Sequence, residues 1–363
     1  MTTPVVAVDC NGADLGPAEV AAGAALAAAE GARMLLFGPA AQLLESSQPP
    51  PDSVEIIDAP VSIAKSADPV SAVRSTPEAS IVQAARAVAD GRAQALVCAG
   101  GTGAALAAGL FNVKRARGIY RPALAIPLPI PARTGGHSVR HSVIFLDVGA
   151  NAEARREHLV QFAFMGAALA RTVLGVESPR VGLLSNGEEA ARGGRLIVET
   201  GEELAEKAGG GEAMRFVGNV EGGDVVGGVA DVIVTDGLTG NIALKLMEGV
   251  SQTLLGAVRD AAMASTRAKL GGALLRPALR GVRDELDPER QGGAYLLGLR
   301  SLGVVPHGSF TRKGFARAIL RARRGAEEDL VGRTQLALET AGALRERSGA
   351  PISASSASLP QAR

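Results

Sequence analysis

Side chains able to do chemistry concentrate in six glycine-containing loops, each directly after a short apolar run. The first, "DCNGADLGP" (9–17), sets Asp9 and Asp14 on either side of an Asn11-Gly12 turn and leads into Pro17. Backbone N–H groups in such a turn can face an anion. The same residues also suit an ordinary β-to-α turn with a helix cap. The second loop, "CAGGTGAALAAG" (98–109), groups Gly100, Gly101 and Gly103 around Thr102. Glycines there let the backbone approach a ligand and open a helix whose amino end favours negative charge. A dinucleotide site is excluded, because GxGxxG lacks its third glycine and "GIYR" stands where an acidic residue belongs. No Lys-Ser or Lys-Thr follows, which excludes an ATP-type P-loop. A phosphate or anion loop remains.

The other four loops are "LDVGAN" (146–151), "LLSNGEE" (183–189), "GNVEGGD" (218–224) and "TDGLTGN" (235–241). One such loop is an ordinary turn, since Asn, Asp and Gly supply positive φ cheaply. Six of them, converging at one sheet edge, would form a polar crevice lined by glycine. The chain has no G-x-S-x-G elbow, and its four histidines form no HExxH pair. Cys98 ends a strand and reads as a small buried residue. No metal site or cofactor is expected, and a direct transfer at an electrostatic site, without a protein nucleophile, is the simplest chemistry.

The elements that must position these loops alternate. Strands are expected at 4–9, 33–38, 54–59, 94–100, 180–185, 214–218 and 231–236, with helices from Pro17, over 80–91, 156–174 and 189–208. "RPALAIPLP" (121–129) and "HSVIFLDVG" (141–149) form a candidate antiparallel hairpin about a turn at 134–136, with Pro127 and Pro129 confining the first strand to an edge or bulge. Long helical stretches fill 239–284 and 310–346. This order means a doubly wound, mostly parallel α/β sheet with helices on both faces. Ligands of such sheets bind at strand carboxyl ends.

The chain has 363 residues, with 38 Lys and Arg against 37 Asp and Glu, a net charge of +1. That length is ample for a hydrophobic core. One α/β domain is expected over 1–347. The Ser/Ala/Pro-rich stretch 348–363 reads as a disordered tail. Near-neutral charge and only 3% aromatics argue against nucleic-acid binding. Two cysteines without CxxC spacing fit a reducing cytoplasm. No apolar run is long enough to span a membrane, and the amino end shows no secretory signal. A cytoplasmic protein is expected.

Taken together, the segments resemble the PlsX family, the phosphate acyltransferases of bacterial phospholipid synthesis. The resemblance runs from Val5 to about Arg324 on "LDVGAN", "EHLVQFAFMG" (157–166), "GNVEGGD", "DGLTGNIALK" (236–245), "LDPERQGGAYLLG" (286–298) and "HGS" (307–309). It implies reversible transfer of a fatty acyl group from acyl carrier protein to inorganic phosphate, with the acyl phosphate passed to a glycerol-3-phosphate acyltransferase. It further implies an α/β/α sandwich similar to phosphotransacetylases and isocitrate dehydrogenases, a homodimer and peripheral membrane attachment. Three departures stand out. The family's D-A-M-G-G-D is Asp9-Cys10-Asn11-Gly12-Ala13-Asp14 here, an Asn is replaced by Gly101, and a Lys by Arg192. Arg keeps the charge and binds phosphate bidentately but cannot donate a proton as Lys does.

On this resemblance, phosphate sits on Gly100, Gly101, Thr102 and Gly103, with Asn11, Gly12 and Arg192 assisting. Asn186, Asn241 and Lys245 are candidate oxyanion donors. His158 and His307 are candidate acid–base groups, with capping or core hydrogen bonding as their alternative. Asp9, Asp147, Asn151 and Asp236 complete the binding set, Asp147 and Asp236 as loop-orienting residues. The amphipathic stretch 250–285, broken at Gly271-Gly272, reads as a helical hairpin. It is either a surface or dimer helix pair, or a surface on which Arg259, Arg267, Lys269, Arg276 and Arg280 meet carrier protein or anionic lipid. Two rival functions are an acyl-CoA-using phosphotransacetylase-like enzyme and a catalytically weakened scaffold paralogue.

Overall fold

In the computed structural model, residues 3–46, 53–130, 141–209, 213–285 and 287–345 are described. The expected turn at 134–136 and the expected tail 348–363 lie outside them. Among the described residues, eleven strands make one sheet. They are β1 (Val5–Asp9), β2 (Arg33–Gly38), β3 (Val54–Asp58), β4 (Ala95–Cys98), β5 (Ala123–Ile130) and β6 (His141–Leu146). The remaining five are β7 (Arg180–Leu184), β8 (Arg215–Val220), β9 (Val232–Val234), β10 (Ala294–Leu297) and β11 (Leu302–Val305). The helices in chain order begin with α1 (Pro17–Ala29), α2 (Ala40–Ser46), α3 (Pro69–Ser75), α4 (Ser80–Ala89) and α5 (Thr102–Ala108). After them come α6 (Arg156–Leu169), α7 (Gly194–Lys207), α8 (Gly237–Met263), α9 (Thr266–Glu285), α10 (Arg312–Glu327) and α11 (Leu330–Thr340).

The strand order is β3-β2-β1-β4-β11-β10-β5-β6-β9-β7-β8. Strands β3, β2, β1, β4 and β11 pair in parallel, as do β6, β9, β7 and β8. Antiparallel pairings through β10 and β5 join these two sets and reverse the strand direction between them. Side chains alternate across the sheet, so Val6 and Val8 join one apolar layer and Ala7 the other. The sheet is mostly parallel and flanked by helices, as the alternation of elements requires.

Four details differ from expectation. The reading of 286–310 contained no strand, yet β10 and β11 enter the centre of the sheet. Four-residue apolar runs carry no period that separates strand from helix. Strand β5 is interior, but its pairing with β10 covers only Ala123–Ala125. Pro127 and Pro129 lie beyond that pairing, where the missing N–H costs nothing on the β10 side. Helix α7 begins at Gly194, not 189, because Gly193 and Gly194 hold φ of 90° and 70°. The break between α8 and α9 falls at Ala264-Ser265, while Gly271-Gly272 lies inside α9. A Cβ on Gly272 would come 2.9 Å from the Ala262 Cβ, so that glycine serves the close approach of the two helices.

Candidate functional site

A cleft of about 600 Å³ opens at the middle of the sheet. The chain segments after β4, β6, β9 and β11 line it, with Leu124 and Ile126 of β5 as its apolar floor. One wall carries Thr102, Gly103, His307 and Ser309; the other carries Gly149, Asn241, Lys245 and Glu248. The sheet order explains this selection. Loops after the strands flanking the β10–β5 junction reach the cleft. Those after β1, β7 and β8 stand one or two strands further out, about 4.8 Å per strand.

On the first wall, Gly101 caps α5 with φ 62°. This left-handed conformation suits Gly and, among other residues, chiefly Asn. Ala105 is the first α5 residue whose amide bonds back, to the Gly101 carbonyl. The preceding N–H groups of Thr102 and Gly103 therefore sit at the amino end of the helix, available to an anion. Asn11 and Gly12 do not line the cleft but support this loop from behind. A Cβ on Gly12 would fall 1.8 Å from the Ala99 carbonyl oxygen. A Cβ on Gly100 would fall 2.5 Å from the Gly12 carbonyl oxygen. The Asn11 side chain donates to the Ala59 carbonyl at 2.8 Å.

Asp9 is buried beneath this loop. Its carboxylate accepts from Ser80 Oγ (2.6 Å), Asn11 N (3.2 Å) and Cys98 Sγ (3.5 Å). Burial raises its pKa above the usual carboxylate value, with these bonds opposing the shift. His307 Nδ1 meets Ser309 Oγ at 2.8 Å and accepts from Ser309 N at 3.3 Å. Occupied Nδ1 leaves Nε2 as the free ring nitrogen.

The second wall is built on Asp147. It accepts backbone N–H bonds from Leu124 (3.0 Å), Gly149 (3.2 Å), Ala150 (3.0 Å) and Asn151 (2.8 Å), and one from Asn151 Nδ2 (2.8 Å). Its pKa is also raised by burial, against the pull of those donors. Asn151 Nδ2 also donates to the Pro122 carbonyl, and the Asn151 carbonyl accepts from Gly237 N. Both residues hold the loop and the start of α8. Asp236 caps α8 by accepting from Thr239 N and Oγ1 at 2.9 and 2.7 Å. One turn on, Asn241 presents an amide that has no hydrogen-bond partner among the described residues. Lys245 follows on the same face, paired with Glu248 at 2.8 Å.

The structure does not bring the other predicted residues to this cleft. Asn186 accepts from Gly193 N at 3.0 Å, and Arg192 lies exposed beside Glu189 at 3.4 Å, both at the carboxyl end of β7. His158 sits in the first turn of α6, where Nδ1 accepts from Arg155 N and the ring packs near Tyr120 and Phe162. Burial lowers its pKa. Arg259, Arg267, Lys269, Arg276 and Arg280 lie on the α8–α9 hairpin. Sequence reasoning missed Ser309, Glu248 and Glu289 as cleft residues. The "HGS" triplet was the one available signal for Ser309. No group of three His, Cys, Asp or Glu side chains that could hold a metal ion occurs among the described residues.

The family described as "Fatty acid synthesis protein" matches residues 5–333. A protein of Bacillus licheniformis named phosphate acyltransferase is 41% identical over 61% of this chain and 64% of its own length. One of Geobacillus with the same name is 40% identical over 63% of this chain and 66% of its own length. The match thus spans just under two thirds of these relatives. Among solved structures, a phosphotransacetylase from Streptococcus pyogenes superposes with a TM-score of 0.60, covering 90% of this chain and 95% of that one at 17% identity. This last likeness speaks to the fold.

Proposed function

The chain belongs to the PlsX family, described as fatty acid synthesis proteins, and from that membership we propose that it transfers a fatty acyl group from acyl carrier protein to inorganic phosphate. The observation that carries the reading is the cleft: free amides at Thr102 and Gly103 face Asn241 and Lys245 across the apolar floor of Leu124 and Ile126. That combination suits an anion on one wall, a polarised carbonyl on the other and an acyl chain between them.

In the proposed reaction, an oxygen of hydrogen phosphate attacks the thioester carbonyl carbon. The carbonyl π electrons move onto oxygen, where Asn241 and Lys245 stabilise the oxyanion. Collapse breaks the carbon–sulfur bond, and the phosphate proton ends on the departing thiol. Acyl phosphate and free carrier thiol result. No protein nucleophile is required, because phosphate is itself competent once positioned. His307 is placed to offer a hydrogen bond through Nε2 to the bound phosphate, without giving up a proton. Asp9, Asp147, Asn151 and Asp236 act as positioning residues.

The same reading includes a homodimer, contact with a membrane surface and delivery of product to a glycerol-3-phosphate acyltransferase. The α8–α9 hairpin supports the first two. Leu246, Val250, Leu254, Leu270 and Leu274 are exposed there among the basic residues already named. No helix of the described residues is long and apolar enough to cross a membrane.

The test is phosphate-dependent release of thiol from long-chain acyl carrier protein, with acyl-CoA in parallel. Release from the carrier protein together with acyl phosphate is the expected outcome. Equal or faster release from acyl-CoA favours a phosphotransacetylase-like enzyme, and none from either favours a scaffold.

A further inference from the structure

Some basic side chains of this fold meet a carboxylate: Arg312 pairs with Glu19, Arg324 with Glu328 and Arg180 with Asp231. Others do not, and a stripe of these lies on α10. Lys313, Arg317 and Arg321 follow at four-residue intervals and so share one face of the helix. Among the described residues, the side chains of Lys313, Arg317 and neighbouring Arg290 have no ion-pair or hydrogen-bond partner. Arg321 bonds only neutral groups: Tyr295 Oη, the Arg290 carbonyl and Gln291 Oε1.

Arg290 comes alongside because the turn Pro288–Gln291 packs against this side of α10. A Cβ on Gly292 would fall 2.9 Å from Arg321 Cδ and 3.0 Å from the Arg317 carbonyl carbon. In the same turn, Glu289 accepts from Thr311 N and Oγ1 at 2.8 and 2.7 Å and lines the cleft. Ser309 and Phe310, just ahead of α10, line it too. The stripe therefore starts at the rim of the cleft. At about 1.5 Å per residue it runs roughly 12 Å outward from Lys313 to Arg321.

We propose that this stripe is the docking surface for an acidic protein, the carrier that presents the acyl thioester; the inference rests on the carrier-protein reading above. Charge complementarity selects the occupant. Four neighbouring cations, none of them in an ion pair among the described residues and with nearby Glu289 taken up by Thr311, attract an acidic surface and steer its approach. A lipid surface suits this face less well. Interfacial helices insert large apolar side chains, and α10 exposes none, whereas α8 and α9 expose many. A carrier lying along α10 holds a thioester on a flexible arm next to Ser309 and Glu289, at the entrance to the cleft.

The test measures KM for long-chain acyl carrier protein at saturating phosphate. The double variant Lys313→Glu/Arg317→Glu is expected to raise KM at least about tenfold while kcat stays within about twofold. Calorimetric titration with acyl-free carrier protein should show the same loss. Release from an acyl-pantetheine thioester, which lacks the protein, stays at the wild-type rate and certifies folding. Lys313→Gln/Arg317→Gln gives a smaller rise, and Arg33→Glu, an exposed arginine at the start of β2, gives none. An unmoved KM in the charge-reversed variant, with wild type using the carrier, overturns the docking surface and leaves the function standing. Wild type that releases no thiol from the carrier overturns both. Lost binding to anionic phospholipid vesicles with unmoved KM assigns the stripe to membrane and overturns the inference.

Discussion

On one side of the cleft Asp9 ends β1 beneath the Gly100–Gly103 loop; on the other Asp147 follows β6 beneath the amino end of α8. Both carboxylates are buried, and burial raises the pKa of each. Each side is sealed by a glycine pressed onto a carbonyl. A Cβ on Gly12 would come 1.8 Å from the Ala99 oxygen, and one on Gly240 would come 1.9 Å from the Asp147 carbonyl oxygen. The donors differ. Asp9 is held by a hydroxyl, a thiol and one backbone amide, whereas Asp147 is held by four backbone amides and the side chain of Asn151. Side-chain donors can rotate to new partners; backbone donors in a closed loop cannot. The α8 wall is therefore rigid through its main chain, and the α5 wall through side chains that can re-form their bonds.

The sharpest way to break this contrast is to remove both carboxylates. Asp147→Ala strands four backbone donors and is expected to cost about 4 kcal/mol, against about 2 for Asp9→Ala. Urea midpoints of the two variants read the difference, and equal losses would mean that donor type does not matter. The glycine seals test the shared part of the plan. Gly12→Ala and Gly240→Ala should each cost about 3 kcal/mol, because backbone must shift on either side. Unequal losses would show that one wall relaxes.

Asn241 tests the separation of scaffold from chemistry. Asn241→Ala should lower kcat about 10²-fold with the urea midpoint unchanged, since its amide is exposed and aimed into the cleft. A comparable loss of stability would move Asn241 into the scaffold. The smallest effect is in pH. A carboxyl whose folded pKa is raised binds more protons folded than unfolded, so its contribution to stability falls as pH rises from the usual value of 3.8 towards the folded value. Wild type should lose stability across that window, and Asp9→Asn, which cannot titrate, should show a shallower slope. Urea midpoints from pH 4 to 7 measure it.

Much of this architecture was legible locally. Strand β2 falls where its apolar run predicts, Pro17 opens α1, and Gly91 follows α4 with φ 78°. The glycine loops stood out because positive φ and close backbone approach leave few other choices. The candidate site was legible only in part. Asn186 and Asn241 look alike in sequence, each after an apolar strand and beside glycine. The sheet places β9 next to β6 and β7 one strand further out, so the loop after β9 meets the cleft and that after β7 does not. His158 and His307 look equally available, yet one lies in the first turn of α6 and the other faces the cleft.

By itself the sequence determined the alternation of strand and helix, the glycine loops at strand ends and the family to which the chain belongs. These follow from side-chain period, φ preference and residue identity, all of which act over a few neighbours. Only the tertiary structure decided that β10 and β11 enter mid-sheet, that four loops share one cleft, and that Lys313, Arg317, Arg321 and Arg290 form one surface. Those outcomes rest on contacts between segments far apart in the chain. No local preference encodes which of several similar strands becomes a neighbour; that is set by how the whole apolar surface is buried at once.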